Sequence, residues 1–170
     1  HIHPTNRRQR QMCIRDSRGA IDERYGAAAL AQEPCLCTAV PFDPALLRVI
    51  PEEVVSRDYG CGDPTRWVRP GNRVLDLGSG SGKNAFICSQ LVGAEGSVLG
   101  LDRNLNMLDL ANGACPQVAS QIGYANVSFR RAEIDQLARD LDGQPLLSDA
   151  CIDVVLSNCV LNLVEPTQRP

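Results

Sequence analysis

Histidine is almost absent from this 170-residue chain: His1 and His3 are the only two, both in a polar amino-terminal stretch. A Ser-His-Asp triad, a Cys-His pair or a histidine-ligated zinc site inside a fold is therefore not expected. Aromatic residues are also sparse, at 4%. No apolar run reaches the length of a membrane helix, so no membrane partner is expected. Basic residues do not outnumber acidic ones: 17 against 20 gives a net charge of −3, which recommends neither a nucleic-acid partner nor an anionic membrane surface. The eight cysteines include no Cys-x-x-Cys pair, so a zinc ribbon or a thioredoxin motif has no support. What remains is 44% apolar and 22% charged residues in one domain's length of chain. A complete domain of this size buries roughly 70% of its unfolded surface.

Both ends read as unnatural. Residues 1–17 show no helical or strand periodicity, and Arg10-Gln11-Met12-Cys13-Ile14-Arg15-Asp16-Ser17 resembles a translated sequencing adapter. Residues 1–17 are thus expected to be a non-native tail. Residues 18–72 are read as a helical and loop segment carrying Cys35, Cys37 and Cys61, and residues 73–170 as a domain truncated at its carboxyl end. No apolar stretch follows the basic residues at the start, so no secretory leader is read. Reduced thiols and a cytoplasmic location are the corresponding expectations.

Between the ends, residues 18–32 have near-helical apolar spacing, and residues 34–44 read as loop. Asp43 is placed to cap a short helix through Leu46 and Leu47. Pro51, Glu52 and Glu53 begin another, expected to end near Tyr59-Gly60-Cys61-Gly62. From Arg73 onward strands and helices alternate. Strands are predicted at 74–77, 97–101, 126–129 and 152–156. Helices are predicted at 83–92, from an Asn104 cap through Leu105, Leu108 and Ala111, and around Leu137 and Leu141. Pro116 is expected to interrupt or restart the second of these. The alternation predicts an α/β, Rossmann-like fold with an incomplete parallel sheet of about four strands.

The loop after the first strand limits the ligand. A phosphate-binding P-loop fails twice, because Leu77 and Asn84 stand where a glycine and a hydroxyl are needed. A dinucleotide loop keeps Gly78 and Gly80, but Lys83 replaces its last glycine. Asp76-Leu77-Gly78-Ser79-Gly80-Ser81-Gly82 instead resembles motif I of class I S-adenosylmethionine-dependent methyltransferases. The resemblance implies S-adenosylmethionine as cofactor, with Gly78, Ser79, Gly80 and Gly82 around it. It further implies Asp76 toward the cationic amino group and Asp102 at both ribose hydroxyls. Asp102 has a bland alternative as a helix cap, but Asn104 already serves there. Ala132-Glu133-Ile134-Asp135 falls where such enzymes place an adenine-binding acid and an apolar ring contact. Glu133 and Asp135 compete for that role, and the first turn of a helix explains either acid equally well.

A narrower resemblance rests on three segments. Arg57-Asp58-Tyr59-Gly60-Cys61-Gly62, the glycine loop, and Leu156-Ser157-Asn158-Cys159-Val160-Leu161-Asn162-Leu163 look like the arsenite methyltransferase family. Tyr25-Gly26 followed by Cys35 is similar to that family's opening, so the match recurs over about residues 24–165. It implies that Cys61 and Cys159 are the functional thiols that hold arsenite, and that Cys35 is a third redox or delivery thiol. Tyr59 and Asn158 would line the cofactor, arsenite or its thiol conjugate would be the small-molecule substrate, and a thiol reductant would be a partner. Trivalent arsenic is a soft centre that prefers thiolate over imidazole or carboxylate, which suits a chain rich in cysteine and poor in histidine. Departures from the family pattern are Asp58 for a second tyrosine, Asn84 for an acid, Arg103 for a methionine, and the extra Cys37. A further arsenic-binding cysteine of the family lies downstream of residue 170. The alternatives are methyl transfer to a small organic metabolite and a non-catalytic, thiol-rich module for arsenite or another soft metal. Cys88, Cys115 and Cys151 read as packing residues.

Overall fold

One polar cap and one turn set by an aspartate organise the first described segment. In the computed structural model, residues 42–59, 62–158 and 160–161 are described. The helix expected at 18–32, the loop with Cys35 and Cys37, and both Cys61 and Cys159 lie outside them. The Asp43 carboxylate accepts from the Ala45 amide at 2.8 Å and caps α1 (Pro44–Leu47), as expected. Helix α2 (Glu52–Ser56) begins after Pro51 with two acids in its first turn and closes at Arg57, short of the glycines expected to end it. A 3-10 turn (Thr65–Trp67) follows that the sequence reading did not anticipate. Asp63 sets it by accepting from both the amide and the hydroxyl of Thr65, at 2.8 and 2.6 Å.

The expected sheet forms from β1 (Arg73–Leu77), β2 (Ser97–Asp102), β3 (Val127–Arg131) and β4 (Val154–Ser157), all parallel in the order β3-β2-β1-β4. Helices α3 (Lys83–Val92) and α4 (Leu105–Ile122) supply the core of one face, with Phe86, Ile87, Ala111 and Val118 fully buried. Ile50 and Val54 from the α1–α2 region join it, and so does Cys88, which behaves as the packing residue expected. Leu75, Leu77 and Leu101 form the second face with Ala132, Ile134 and Leu146.

Two expectations are corrected. Helix α4 runs through Pro116 without a restart. Pro116 and Asn112 both lie on the exposed side, so water can reach the Asn112 carbonyl that the proline cannot serve, and the buried series Met107, Leu108, Ala111, Ala114, Val118 stays in register. No helix forms around Leu137 and Leu141. Residues 132–150 are turns with an isolated antiparallel bridge between Arg139 and Pro145. Asp140 accepts from the amides of Asp142 and Gln144, at 3.1 and 2.7 Å, and Gly143 has φ +81°, so an Asp-Gly turn takes the place of a helical one. No helix among the described residues is long and apolar enough to cross a membrane.

Candidate functional site

The strand order reverses between β1 and β4, and the crevice beyond the carboxyl ends of such strands is where open α/β sheets take ligands. Asp76 lies on β1, one residue before the strand's end, and Leu77 hands the chain to the glycine loop. The loop is closed by the Gly78 and Ser79 amides, which donate to the Leu101 carbonyl at 2.8 and 2.9 Å, and by the Gly82 amide, which donates to Ser79. At Gly78 the backbone has φ +73°, and a Cβ there would meet the Val160 side chain at 2.7 Å.

Asp76 is 1% exposed, and its Oδ2 has no hydrogen-bond partner among the described residues. Burial, with the negative charges of Asp58 and Asp102 adding to it, raises its pKa to about 7. The Ser79 hydroxyl beside it in the loop is likewise buried and unpartnered among the described residues. An orphaned acid and hydroxyl over a side-chain-free backbone fit a ligand with a cationic amino group, which is what S-adenosylmethionine presents.

Asp102 ends β2. Its Oδ2 accepts from the Gly80 amide at 2.9 Å and its Oδ1 from the Asn104 amide at 2.8 Å, so it also ties the glycine loop to the start of α4. Burial raises its pKa, opposed by hydrogen bonds from the Asn104, Gly80 and Arg103 amides. Asn104 accepts from Met107 as the helix cap, as anticipated. After β3, Ile134 is buried in the second-face core and Glu133 lies 3.7 Å from Arg103. Ile134 and Asp135 form a turn that no helix follows, which removes the first-turn account of both acids. After β4, the Asn158 side-chain amide donates to the Gly62 carbonyl at 3.1 Å. Tyr59 is half-buried.

Gly82 differs from its expected neighbours in the loop. It has φ +91°, and a Cβ on it would lie 2.7 Å from the Phe129 ring and 3.1 Å from Phe86. It therefore supplies the close helix-to-sheet approach for which the dinucleotide motif uses its last glycine. Two residues the sequence reading treated only as departures also belong here. Lys83 and Asp58 form an ion pair at the edge of the loop. No local pattern flags that pair. A separate hollow of about 380 Å³ near the amino ends of the strands, lined by Val74, Ser97, Asn126 and Ile152, is remote from these groups.

Residues 69–169 match a family profile described as a methyltransferase domain. The chain is 45% identical over 131 residues to an arsenite methyltransferase of Aquipseudomonas alcaligenes, a match that covers 76% of this chain and 36% of that protein. It is 34% identical over 148 residues to the human arsenite methyltransferase, covering 84% of this chain and 38% of that one. A crystal structure of an arsenic(III) S-adenosylmethionine methyltransferase from Chlamydomonas reinhardtii superposes with a TM-score of 0.65 and 36% identity, covering 75% of this chain and 42% of that one. The chain thus spans less than half the length of each. The matched region takes in all four strands, the glycine loop, Asp76 and Asp102, and the chain belongs to the methyltransferase domain family with the class I S-adenosylmethionine-dependent fold.

Proposed function

We propose that this chain carries the cofactor site and two arsenic-binding thiols of an S-adenosylmethionine-dependent arsenite methyltransferase. One observation carries the arsenic half of the reading. The Asn158 amide and the Gly62 carbonyl, 96 residues apart in sequence, are hydrogen-bonded at 3.1 Å. Each is the chain neighbour of a cysteine, Cys159 in one case and Cys61 in the other, and consecutive Cα atoms lie about 3.8 Å apart. Two cysteines each one residue from this contact suit trivalent arsenic, which takes thiolate ligands. The similarity to arsenite methyltransferases supports the same assignment.

S-adenosylmethionine, when bound, supplies a methyl group on a positively charged sulfur. Asp76 receives its amino group as a carboxylate. Asp102 receives the ribose hydroxyls on the part of its acceptor capacity that the Gly80, Asn104 and Arg103 amides leave open. Glu133 is drawn toward Arg103, which favours Asp135 for the polar edge of adenine, with Ile134 near the ring. Gly80, with open space where a side chain would stand, leaves room for the ligand, and Gly78, Ser79, Tyr59 and Asn158 border it. Cys61 and Cys159 would be the thiolates that take arsenic, and Cys35 would serve as a redox or delivery thiol. The chain's contribution is chiefly position, because the leaving group is already a good one. A thiol reductant and a reducing, cytoplasmic setting keep the cysteines as thiols.

The test is methyl transfer from labelled S-adenosylmethionine by the protein expressed from its complete reading frame, with a thiol reductant, with and without arsenite. The expected result is arsenite-dependent label in a methylated arsenical, abolished in Cys61→Ser and in Cys159→Ser. Cofactor binding without arsenite turnover overturns the arsenic assignment and directs the search to small organic acceptors.

A further inference from the structure

Lys83 occupies the first position of α3, where the positive end of the helix dipole opposes a cation. Its side chain is nevertheless turned inward, with the ammonium 4.4 Å from the centre of the Phe42 ring and paired with the Asp58 carboxylate. Both side chains are only 11% exposed. A buried pair of this kind contributes little net stability, because desolvation offsets the attraction; its distinctive effect is to fix one geometry. The geometry fixed here is that of Asp58, at one end of the 58–62 arm. Asp58 holds one end of this arm against the start of α3, and the Gly62 carbonyl holds the other against Asn158 beyond β4. These are the two sides of the crevice at the strand-order reversal. Tyr59 and Cys61 lie between the anchors in sequence.

We infer that Lys83 is a positioning residue: through Asp58 it clasps the start of the 58–62 arm, the segment whose sequence carries Cys61, onto the glycine loop. The inference rests on the proposed reading of Cys61 as an arsenic ligand, and it adds a residue outside the cofactor and thiol sets. Asp76 and the glycine loop are held by β1, β2 and their own backbone bonds. Loss of the clasp is therefore felt first in the handling of arsenite, with a smaller effect on cofactor affinity through Tyr59 and through the Asp58 charge that acts on Asp76.

Two readouts on the protein from its complete reading frame test this. In Lys83→Gln, amide hydrogen exchange in peptides spanning residues 58–62 should quicken about tenfold or more, while β1 and β2 stay protected. In the methyl-transfer assay the same variant should raise the arsenite KM about tenfold with a distinctly smaller rise in the cofactor Kd, and Lys83→Arg should restore both readouts. If Lys83→Gln fails to fold, the double variant Asp58→Asn with Lys83→Gln leaves no unpaired buried charge and is read in the same way. Unchanged exchange at 58–62 in a folded variant overturns the clasp, and so does a loss of cofactor affinity equal to the rise in arsenite KM. A wild-type protein that does not methylate arsenite, yet loses protection at 58–62 in Lys83→Gln, defeats the proposed function and leaves the clasp standing.

Discussion

At Asp76 the carboxyl group is buried on β1 with one oxygen unpartnered among the described residues, and burial together with the charges of Asp58 and Asp102 lifts its pKa to about 7. Near neutral pH it is therefore half protonated without ligand, whereas a cationic amino group favours the carboxylate. Binding of S-adenosylmethionine below pH 7 must then release a proton from this group. The expected affinity is about tenfold weaker at pH 6 than at pH 8, levelling off above pH 7. Calorimetry in two buffers of different ionisation enthalpy measures the proton directly. Asp76→Asn should weaken binding at pH 8 and abolish the slope; a slope that persists in that variant assigns the titration to another group. Burial also raises the thiol pKa of Cys88 and of Cys115, in keeping with inert packing residues rather than nucleophiles.

Where elements meet, Phe129 of β3 decides which positions must lack a side chain. Its ring lies across β2 and packs edge-on against Phe86 of α3, with centroids 5.4 Å apart. A Cβ on Gly100 would sit 2.5 Å from that ring and 3.0 Å from the Ser79 Cβ, and one on Gly82 would sit 2.7 Å from the ring. Gly82→Ala should therefore cost about 1–3 kcal/mol in urea unfolding, from overpacking and from φ +91°. Phe129→Leu added to it should recover part of that loss, so that the two changes are less than additive. Full additivity would show that the ring is not what excludes a side chain. The elements legible in the sequence are those with local signatures: the Asp43 and Asn104 caps, the apolar run of β1, and the glycine loop opening α3. Pro116 misled because its effect depends on which side of α4 faces water, which no short window reveals. The helix expected near Leu137 failed although Asp142-Gly143 carried the turn signal that replaced it. Lys83 was legible only as a mismatch to the dinucleotide pattern. Its partner Asp58 lies on a different element, and only the fold brings the two together.

Across the whole molecule, two acids pull stability in opposite directions as pH changes. Strand β4 pairs with β1 alone among the described residues, and its Val155 is 57% exposed, so its attachment depends heavily on that one seam. At the seam's start, Asp153 accepts from the Arg73 amide at 2.8 Å and from the guanidinium at 2.8 and 3.1 Å. These hydrogen bonds hold its pKa down to about 2. A depressed acid contributes stability that is present above its unfolded pKa of about 3.9 and is lost as pH falls through the folded value. Asp76 has the opposite sign. Its folded pKa of about 7 exceeds the unfolded one, so its contribution is full below about pH 4 and is lost as pH rises through 7. The difference corresponds to about 4 kcal/mol for Asp76, and Asp102, also raised by burial, acts in the same direction. Urea unfolding of the cofactor-free protein should accordingly show greatest stability near pH 4–5 and a steady decline toward pH 8. Asp76→Asn should flatten the upper limb, and Asp153→Asn should flatten the lower one. Stability that stays level from pH 5 to 8 in the cofactor-free protein would mean that Asp76 is not held protonated by its surroundings. Saturating S-adenosylmethionine should lift the whole curve and lift it most at pH 8, because the ligand binds the folded state with Asp76 ionised. The group that weakens the empty protein at neutral pH is then the one that gives the cofactor its strongest hold.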